Sequence, residues 1–550
     1  MSKIKFRRTV IGQFKYQGFS VRPNATELII DVVTDESGKE IDLDLLSLLV
    51  TKICEKHGSE NEMSRMVESD LVTKVLKEFL EEQEKQKSKI DSEEETIEII
   101  DVFKQPKFSY KSSNIKSIIY SKDPKPNGFL GNSETKVSMF NERYEILLQR
   151  TLRNSLFSSK TSESSNEESS YSISSVISLL GDTKKRIILG MITQLEDEVF
   201  YIEDPSGWIK VNFETTKTAN GIFTENSIVI AEGRCNNEDE FVVKTIGFPP
   251  PESREETIKH LEQDKRGLSL IDETLSEPWF LKLQEEEIND PDQQMIIISE
   301  IWLDKDSVFE KLEKLFTGFN IEEPPSVFLL IGNFFSTPFD GSTKQLEKRK
   351  NSFLRLRDLM INYDFICQHS KFIFVPGIND ISYSPLLPRK CISNSLISMF
   401  RTTYKGSSQL TINKNFLSKN SYFVSNPCRI RFFTKEIVIC REDLINKFLR
   451  HSIFPTPTKN SEIANSIAKT IIDQAYLFPF PLNIRPILWN FDYSLRLFPT
   501  PDTLILADKF EQYSGKYNNC NYCNPGCFST DFSFVVHYPN TDEIQFSRIK

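Results

Sequence analysis

Polar residues follow three apolar runs in the C-terminal half of the chain. The runs MIII, VFLLI and KFIFV lead into SEIW (299–302), GNFFS (332–336) and PGIND (376–380). Helical patterns separate the runs, so we predict an α/β domain with parallel strands. Loops after such strands converge on one crevice, where carboxylates and imidazoles could hold two metal ions and generate a hydroxide nucleophile. These three loops are the candidate site.

The loops are similar in order to those of calcineurin-like metallophosphoesterases, which carry Asp-x-His, Gly-Asp-x-x-Asp and Gly-Asn-His followed by Asp or Glu. Most of the metal ligands are replaced here, and asparagine and tryptophan cannot supply the charge that a two-metal centre needs. The resemblance implies a catalytically dead domain without a cofactor, and ordinary turns of an unrelated α/β fold are the alternative. The degenerate positions are Glu300, Trp302, Asn333, Ser336, Ile378, Asn379 and Asp508, whereas Asp380 keeps the family's residue type.

The charge balance of the chain is acidic. Of 550 residues, 68 are Lys or Arg and 78 are Asp or Glu, a formal net charge of -10. Nucleic-acid binding by the whole surface is disfavoured, because that affinity depends on basic side chains. No run is apolar and long enough to span a membrane, and residues 1–22 lack a secretory signal, with a mitochondrial transit peptide as the alternative. The few, mostly scattered cysteines indicate a reducing compartment.

Composition and periodicity divide the chain into several domains. Two helical faces near the N-terminus predict a small helical domain: Leu45, Leu46, Leu49, Val50 and Ile53, then Leu71, Val72, Val75, Leu76 and Phe79. A charge-dense run and a Ser-rich run (155–175) predict a linker and a flexible insertion. The predicted divisions are a helical domain (1–80), an acidic linker (81–105), a connecting segment with the Ser-rich insertion (106–180), an OB-fold (181–250), a connection (251–290) and a phosphodiesterase-like domain (291–550).

Five β-rich runs lie between residues 185 and 249. Short strands separated by turns predict a barrel such as the OB-fold, with another small β-domain as the alternative. Phe200, Tyr201, Trp208 and Phe213 could stack on single-stranded bases. Nearby carboxylates repel phosphates, so we expect DNA contact to be weak or indirect at most.

Two further motifs lie near the C-terminus. Cys520, Cys523 and Cys527 form C-x2-C-x3-C, a spacing that could share Zn2+ with His537 or the solvent as a fourth ligand. The alternative is a plain turn, and we predict no metal. The run LFPFPLNIRP (477–486) is either an exposed docking strip or a buried connection.

Nearly the whole chain resembles the B subunits of the eukaryotic replicative DNA polymerases, and more specifically the second subunits of DNA polymerase epsilon. Matching stretches include FNERYEILLQRTLRN (140–154), ILGMITQLEDEVFYIEDPSG (188–207), REDLINK (441–447) and WNFDYSLRLFPTP (489–501). The resemblance implies a multidomain α+β and α/β fold in which an OB-like barrel packs with an inactive phosphodiesterase-like domain. It also implies a nuclear, non-catalytic accessory subunit that scaffolds and stabilises the catalytic chain in chromosomal DNA replication.

The resemblance further implies the partners. They are the C-terminal cysteine-rich domain of the catalytic subunit, the small histone-fold subunits, and the replicative helicase assembly. The helicase assembly would be contacted through the N-terminal domain, which is similar to the helical lid of AAA+ proteins. Two other functions stay open: a metal-dependent phosphodiesterase or exonuclease with altered ligands around Glu300 and Asp380, and a free single-strand DNA-binding OB protein.

Overall fold

The chain forms two compact units, Met1–Glu95 and Thr96–Lys550. The structure is a computed structural model, and it describes residues 2–26, 96–110, 118–121, 128–157, 171–181, 183–263, 277–380, 386–402 and 409–550, with scattered positions between 29 and 75. Within these residues, no helix combines the length and the apolar character that crossing a membrane requires.

The N-terminal unit contains the helix Ser2–Tyr16 and a short parallel pairing of Ser20–Val21 with Met66–Val67. Val10 and Phe14 lie one helical turn apart and are fully buried, so one face of this helix packs into the core of the unit. Of the predicted helical faces, Val50, Ile53, Leu71, Val72 and Val75 contribute to this core. Leu45, Leu46, Leu49, Leu76 and Phe79 lie outside the described residues.

Residues 186–247 form a closed β-barrel, and all five β-rich runs predicted from the sequence are strands. The ring closes where Phe241 and Val242 pair with Val211 and Asn212. Apolar side chains at alternate positions fill the interior, as a small closed barrel requires. The strands are Arg186–Glu196, Val199–Asp204, Gly207–Asn212, Ile228–Cys235 and Phe241–Gly247, with short additions at Ile173–Ser174 and Lys217–Thr218.

The predicted connecting segment 106–180 contains regular structure that periodicity did not reveal. The helix Ser133–Arg153 begins after Asn132, whose side chain accepts a backbone hydrogen bond at 2.9 Å. Leu147 on this helix packs against Leu189 of the barrel. The barrel domain therefore starts well before the predicted residue 181. The other elements here are the hairpin of Lys107–Tyr110 with Ile118–Ser121 and the 3-10 helix Val176–Leu179.

The end of the predicted acidic linker 81–105 is a strand rather than a linker. Ile97–Asp101 pairs antiparallel with Cys428–Phe432 at the edge of a sheet. Ile97 joins the core there, and this burial offsets an ordering cost that the charged residues alone could not. Residues 81–95 of the linker and 158–170 of the Ser-rich insertion lie outside the described residues.

Two six-stranded sheets form the C-terminal domain. The three apolar runs predicted as parallel strands lie side by side in the first sheet, which confirms the α/β prediction. The first sheet consists, in order, of Ser421–Phe423, Lys371–Val375, Val327–Ile331, Met295–Ser299, Ser533–Tyr538 and Glu543–Arg548. The second consists of Tyr513–Tyr517, Cys520–Asn524, Thr503–Ala507, Lys435–Arg441, Cys428–Phe432 and Ile97–Asp101.

The two sheets pack face to face, and helices cover their outer faces. Ile297 and Leu329 of the first sheet share one core with Ile430 and Ile439 of the second. Strands buried on both faces read as continuous apolar runs, which is why the sequence showed them so clearly. The helices over the first sheet are Asp306–Phe319, Thr343–Met360, Asp364–His369, Asn394–Phe400 and Gln409–Asn420, and those over the second are Ile445–Arg450 and Asn460–Asp473.

The predicted connection 251–290 contains two helices, Arg254–Gln263 and Glu277–Asn289. Nη1 of Arg254 lies 2.6 Å from a carboxylate oxygen of Glu436 in the second sheet. Leu283 enters the core between the two sheets. Both helices therefore pack on the C-terminal domain. Short helices at Val102–Lys104, Trp489–Leu495 and Phe528–Asp531 complete the described elements of this unit.

Candidate functional site

The three parallel strands bring their loops together at one edge of the first sheet. Oε1 of Glu300 accepts hydrogen bonds from the backbone N–H and Nδ2 of Asn333, at 2.9 and 2.7 Å. Oδ1 of Asn333 accepts one from the amide of Asn379 at 2.8 Å. Asp380 accepts from the amides of Phe334 and Gly377, both at 2.7 Å. Four of the predicted site residues thus form one buried cluster that holds the loops together.

Arg441 completes this cluster, although its sequence pattern did not indicate a site residue. It ends the strand Lys435–Arg441 of the second sheet, and its Nε lies 2.9 Å from Oε1 of Glu300 and 2.9 Å from the carbonyl oxygen of Gly332. Its Nη1 donates to Asp443 at 2.8 Å. The sequence signal that could have pointed to Arg441 is a charged residue at the end of an apolar strand, at the start of the run REDLINK (441–447).

Arg441 is a fixed positive charge inside the crevice. Its side chain is 2% exposed and that of Glu300 is 0% exposed, so water does not compensate either charge. Burial alone would lower the pKa of Arg441, but the carboxylates of Glu300 and Asp443 outweigh burial and raise that pKa. The guanidinium is therefore charged across the physiological pH range.

The second carboxylate oxygen of Glu300 is also engaged. Nε1 of Trp302 donates to Oε2 at 2.9 Å, and Nζ of Lys509 lies 3.6 Å from the same oxygen. Lys305 lies over the Trp302 ring at 4.3 Å. Nitrogen donors and cations therefore surround the carboxylate that would face a metal ion. Among the described residues, no group of three or more His, Cys, Asp or Glu side chains could hold a metal.

Asp508 lies in a neighbouring loop and does not share in the hydrogen bonds of the Glu300 cluster. It follows the strand Thr503–Ala507, and its Oδ2 accepts from the amides of Leu444 and Ile445 at 2.7 and 2.8 Å. Burial raises the pKa of Asp508 to about 6. Burial likewise raises the pKa of Asp380 to about 6, although two backbone amides oppose the shift. Both carboxyls hold loops in place through backbone N–H groups.

The side chains of Ser336 and Ile378 do not join the cluster, although the carbonyl oxygen of Ser336 accepts from Nδ2 of Asn379 at 3.4 Å. The backbone N–H and Oγ of Ser336 both donate to Asp304, at 3.1 and 2.5 Å. The side chain of Ile378 is 46% exposed. Asp304 thus accepts hydrogen bonds from both donors of Ser336.

The structure does not bring two cysteines of the zinc alternative, Cys520 and Cys523, to one face of their sheet. Cys520 and Cys523 lie on one strand at odd spacing, so their side chains point to opposite faces of the second sheet. Cys520 packs in the outer core and Cys523 in the core between the sheets. His537 lies in the first sheet, and neither of its ring nitrogens has a hydrogen-bond partner among the described residues. Burial raises the pKa of the Cys523 thiol to about 12.

A second buried charge cluster lies beside Arg441 and is centred on Glu442. Its carboxylate binds Arg389 at 2.7 Å, Arg485 at 2.9 Å and Lys447 at 2.6 Å. Burial opposes ionisation, but the three cations lower the pKa of Glu442 to about 2. This carboxylate is thus a junction between three segments of the domain.

The barrel aromatics offer little free stacking surface. Phe200, Tyr201 and Phe213 are buried or half-buried, and Phe213 packs edge-on against Phe454 at 5.2 Å. Trp208 is 62% exposed. The proline-aromatic run 477–486 is a buried connection over its first half: Leu477, Phe478 and Phe480 belong to the outer core of the second sheet.

Comparison with known proteins identifies the family. A model of the B-subunit family of DNA polymerases alpha and epsilon matches residues 295–515, and a model of the OB-fold domain of DNA polymerase epsilon subunit 2-like proteins matches residues 133–250. The second match includes the helix Ser133–Arg153, which agrees with its packing on the barrel.

Relatives match over the whole chain. The DNA polymerase epsilon B subunit of Arabidopsis thaliana is 33% identical, with 99% of each chain covered, and the human DNA polymerase epsilon subunit 2 is 33% identical, with 100% of each chain covered. Among solved structures, an archaeal phosphodiesterase aligns with 47% of this chain at 10% identity and a TM-score of 0.24, which is too low to define a fold. On the full-length similarity and the two family matches, this chain belongs to the family of DNA polymerase epsilon B subunits.

Proposed function

We propose that this chain is a non-catalytic accessory subunit of the DNA polymerase epsilon complex and acts in the nucleus. Membership of the family supports an accessory role in DNA replication. The observation that carries the non-catalytic part is the Glu300–Arg441 pair, which places a guanidinium where a metal ion would need a free carboxylate. A fold can keep its framework while its function moves to an interface.

A scaffolding role is supported by the contacts between the barrel domain and the two sheets. Arg143 of the helix Ser133–Arg153 lies over the Tyr476 ring at 3.9 Å. Glu142 of the same helix binds Arg496 at 2.8 Å. Nη2 of Arg150 donates to the carbonyls of Pro249 and Asp473. Buried, charged contacts of this kind favour one rigid arrangement, and a rigid surface suits a subunit that positions another chain.

We further propose that this rigid surface docks the C-terminal cysteine-rich domain of the catalytic chain. The small histone-fold subunits would join the same complex, and the N-terminal unit would contact the replicative helicase assembly. DNA would be bound weakly or indirectly at most. The acidic net charge supports this last point, because phosphate binding depends on basic side chains.

The test is co-expression of the tagged full chain with the large polymerase chain of the same organism, followed by purification and quantitative mass spectrometry. Recovery near one-to-one at moderate salt is the expected result. A matched tag on an unrelated protein of similar charge serves as the control. Recovery of the tagged chain alone would overturn the accessory role. A second purification, from nuclear extract, tests the helicase contact. Recovery of the polymerase chain without helicase proteins would overturn that contact only.

A further inference from the structure

The turn Asp204–Gly207 of the barrel lies beside a groove. The groove has a volume of about 570 Å³ and is lined on one side by residues between 133 and 145 of the helix Ser133–Arg153 and on the other by Pro205. Val137 lines it and is 60% exposed. A concave surface of this size accepts a few side chains of a partner.

Exposed apolar side chains continue past the turn. The amide of Ile177 donates to Oγ of Ser206 at 3.2 Å, so the 3-10 helix Val176–Leu179 abuts the turn. Ile177 is 58% exposed, and Leu180 is 60% exposed. Trp208 follows the turn directly and rests edge-on against Tyr201 at 5.3 Å, with 62% of its surface open. Such a concentration of large apolar side chains on a surface indicates an interaction site.

Carboxylates predominate at this surface. Within the described residues, only one of the carboxylates that line the groove, that of Glu142, is paired with cations, Lys107 at 2.7 Å and Arg496 at 2.8 Å. Glu134 and Glu145 line the groove, and Glu203 pairs across the hairpin with Trp208. Burial raises the pKa of Tyr144, and the carboxylates of Asp204 and Glu145 raise it further, which places both charges near one ring. The closest lysine in sequence to Trp208, Lys210, is turned to Glu240 at 3.3 Å.

We propose that this surface, formed by the groove, Ile177, Leu180 and Trp208, binds a cationic amphipathic segment of a partner protein. Leucine-like side chains of the segment would occupy the groove and contact Trp208, and its lysines or arginines would face Glu134 and Glu145. The carboxylates discriminate against nucleic acid, whose phosphates they repel. A helix carrying apolar residues at helical spacing is the chemistry that fits a groove beside another helix.

The probe is a fluorescein-labelled helical peptide of lysine and leucine, titrated with the purified full chain and followed by anisotropy. Glu134→Gln/Glu145→Gln should weaken binding by about fivefold. Glu214→Gln/Glu238→Gln removes equal charge from exposed positions elsewhere on the barrel and should change it by less than about twofold. Trp208→Ala should weaken binding by about tenfold, whereas Leu195→Ala, with Leu195 also 62% exposed, should not.

Two further ligands complete the test: a peptide of glutamate and leucine, and an oligothymidine strand. Neither should bind the chain or compete with the lysine and leucine peptide. Equal losses in the groove and control variants would overturn the proposal, as would absence of peptide binding or displacement of the peptide by oligothymidine. Circular dichroism of each variant checks that it is folded. The proposed binding surface does not depend on the proposed subunit role. A negative result in the peptide experiment would therefore leave that role to its own test.

Discussion

Arg441 and Glu300 form a buried ion pair that joins the two sheets, with the guanidinium Nε 2.9 Å from Oε1 of the carboxylate. Glu300 follows a strand of the first sheet, and Arg441 ends a strand of the second. A crevice that would otherwise gather negative charge is thereby neutralised by the protein's own cation. The pair therefore contributes to holding the loops of the first sheet against the second sheet.

Arg441→Met should destabilise the fold strongly. The substitution leaves the Glu300 carboxylate buried and uncompensated, which costs about 3–5 kcal/mol. Urea unfolding measures the change. Arg355→Met is the matched control, because Arg355 pairs with Asp306 at the surface, with 54% and 82% of the side chains exposed, and should cost about 1 kcal/mol or less. Glu300→Gln/Arg441→Met should recover most of the loss, and equal effects of the two arginine variants would contradict the assignment.

Mn2+ should not confer phosphodiesterase activity on this chain. Both oxygens of Glu300 are engaged by nitrogen donors, so a metal ion would have to compete with these donors and with the Arg441 cation for the carboxylate. Hydrolysis of a phosphodiester reporter should be the same with Mn2+ or with EDTA. Metal-dependent turnover that Asp380→Ala abolishes, in a variant still folded by circular dichroism, would instead support the phosphodiesterase alternative.

The Glu442 cluster should make the free energy of unfolding depend on pH in the acid range. The pKa of Glu442 is about 2 in the folded chain, against an ordinary value of 4.5. A lowered pKa means that the stabilisation is fully present above about pH 4.5 and is lost as pH falls towards 2. The loss is on the order of 3 kcal/mol. Glu442→Gln should flatten the stability profile between these values, and the exposed control Glu462→Gln should leave it unchanged.

Arg150→Met should loosen the attachment of the barrel to the sheets. The side chain is buried and donates to the carbonyls of Pro249, Ile472 and Asp473. Losing these charged hydrogen bonds leaves buried acceptors unpaired and should cost about 2–3 kcal/mol. Calorimetry should then separate a barrel transition from that of the sheets. Lys136→Met, an exposed site on the same helix, should leave one joint transition.

The sequence by itself was sufficient to predict the strands that are apolar on both faces or at alternate residues. The runs at Met295–Ser299, Val327–Ile331 and Lys371–Val375, and the five barrel strands, are readable because burial leaves a local pattern. The replacement of metal-ligand residue types at the ends of those strands stays a prediction that depends only on the sequence. The order of the motifs along the chain carried the family resemblance.

Tertiary structure alone decided which distant residues meet. Arg441 and Glu300 are 141 positions apart, and Ile97–Asp101 pairs with a strand more than 300 residues later. Periodicity reports that a residue is buried but not what it touches, so it suggested neither contact. The positions of Cys520 and Cys523 show the same dependence on tertiary structure. Their spacing suited zinc, but the strand conformation, which depends on pairing with Thr503–Ala507, turns them to opposite faces.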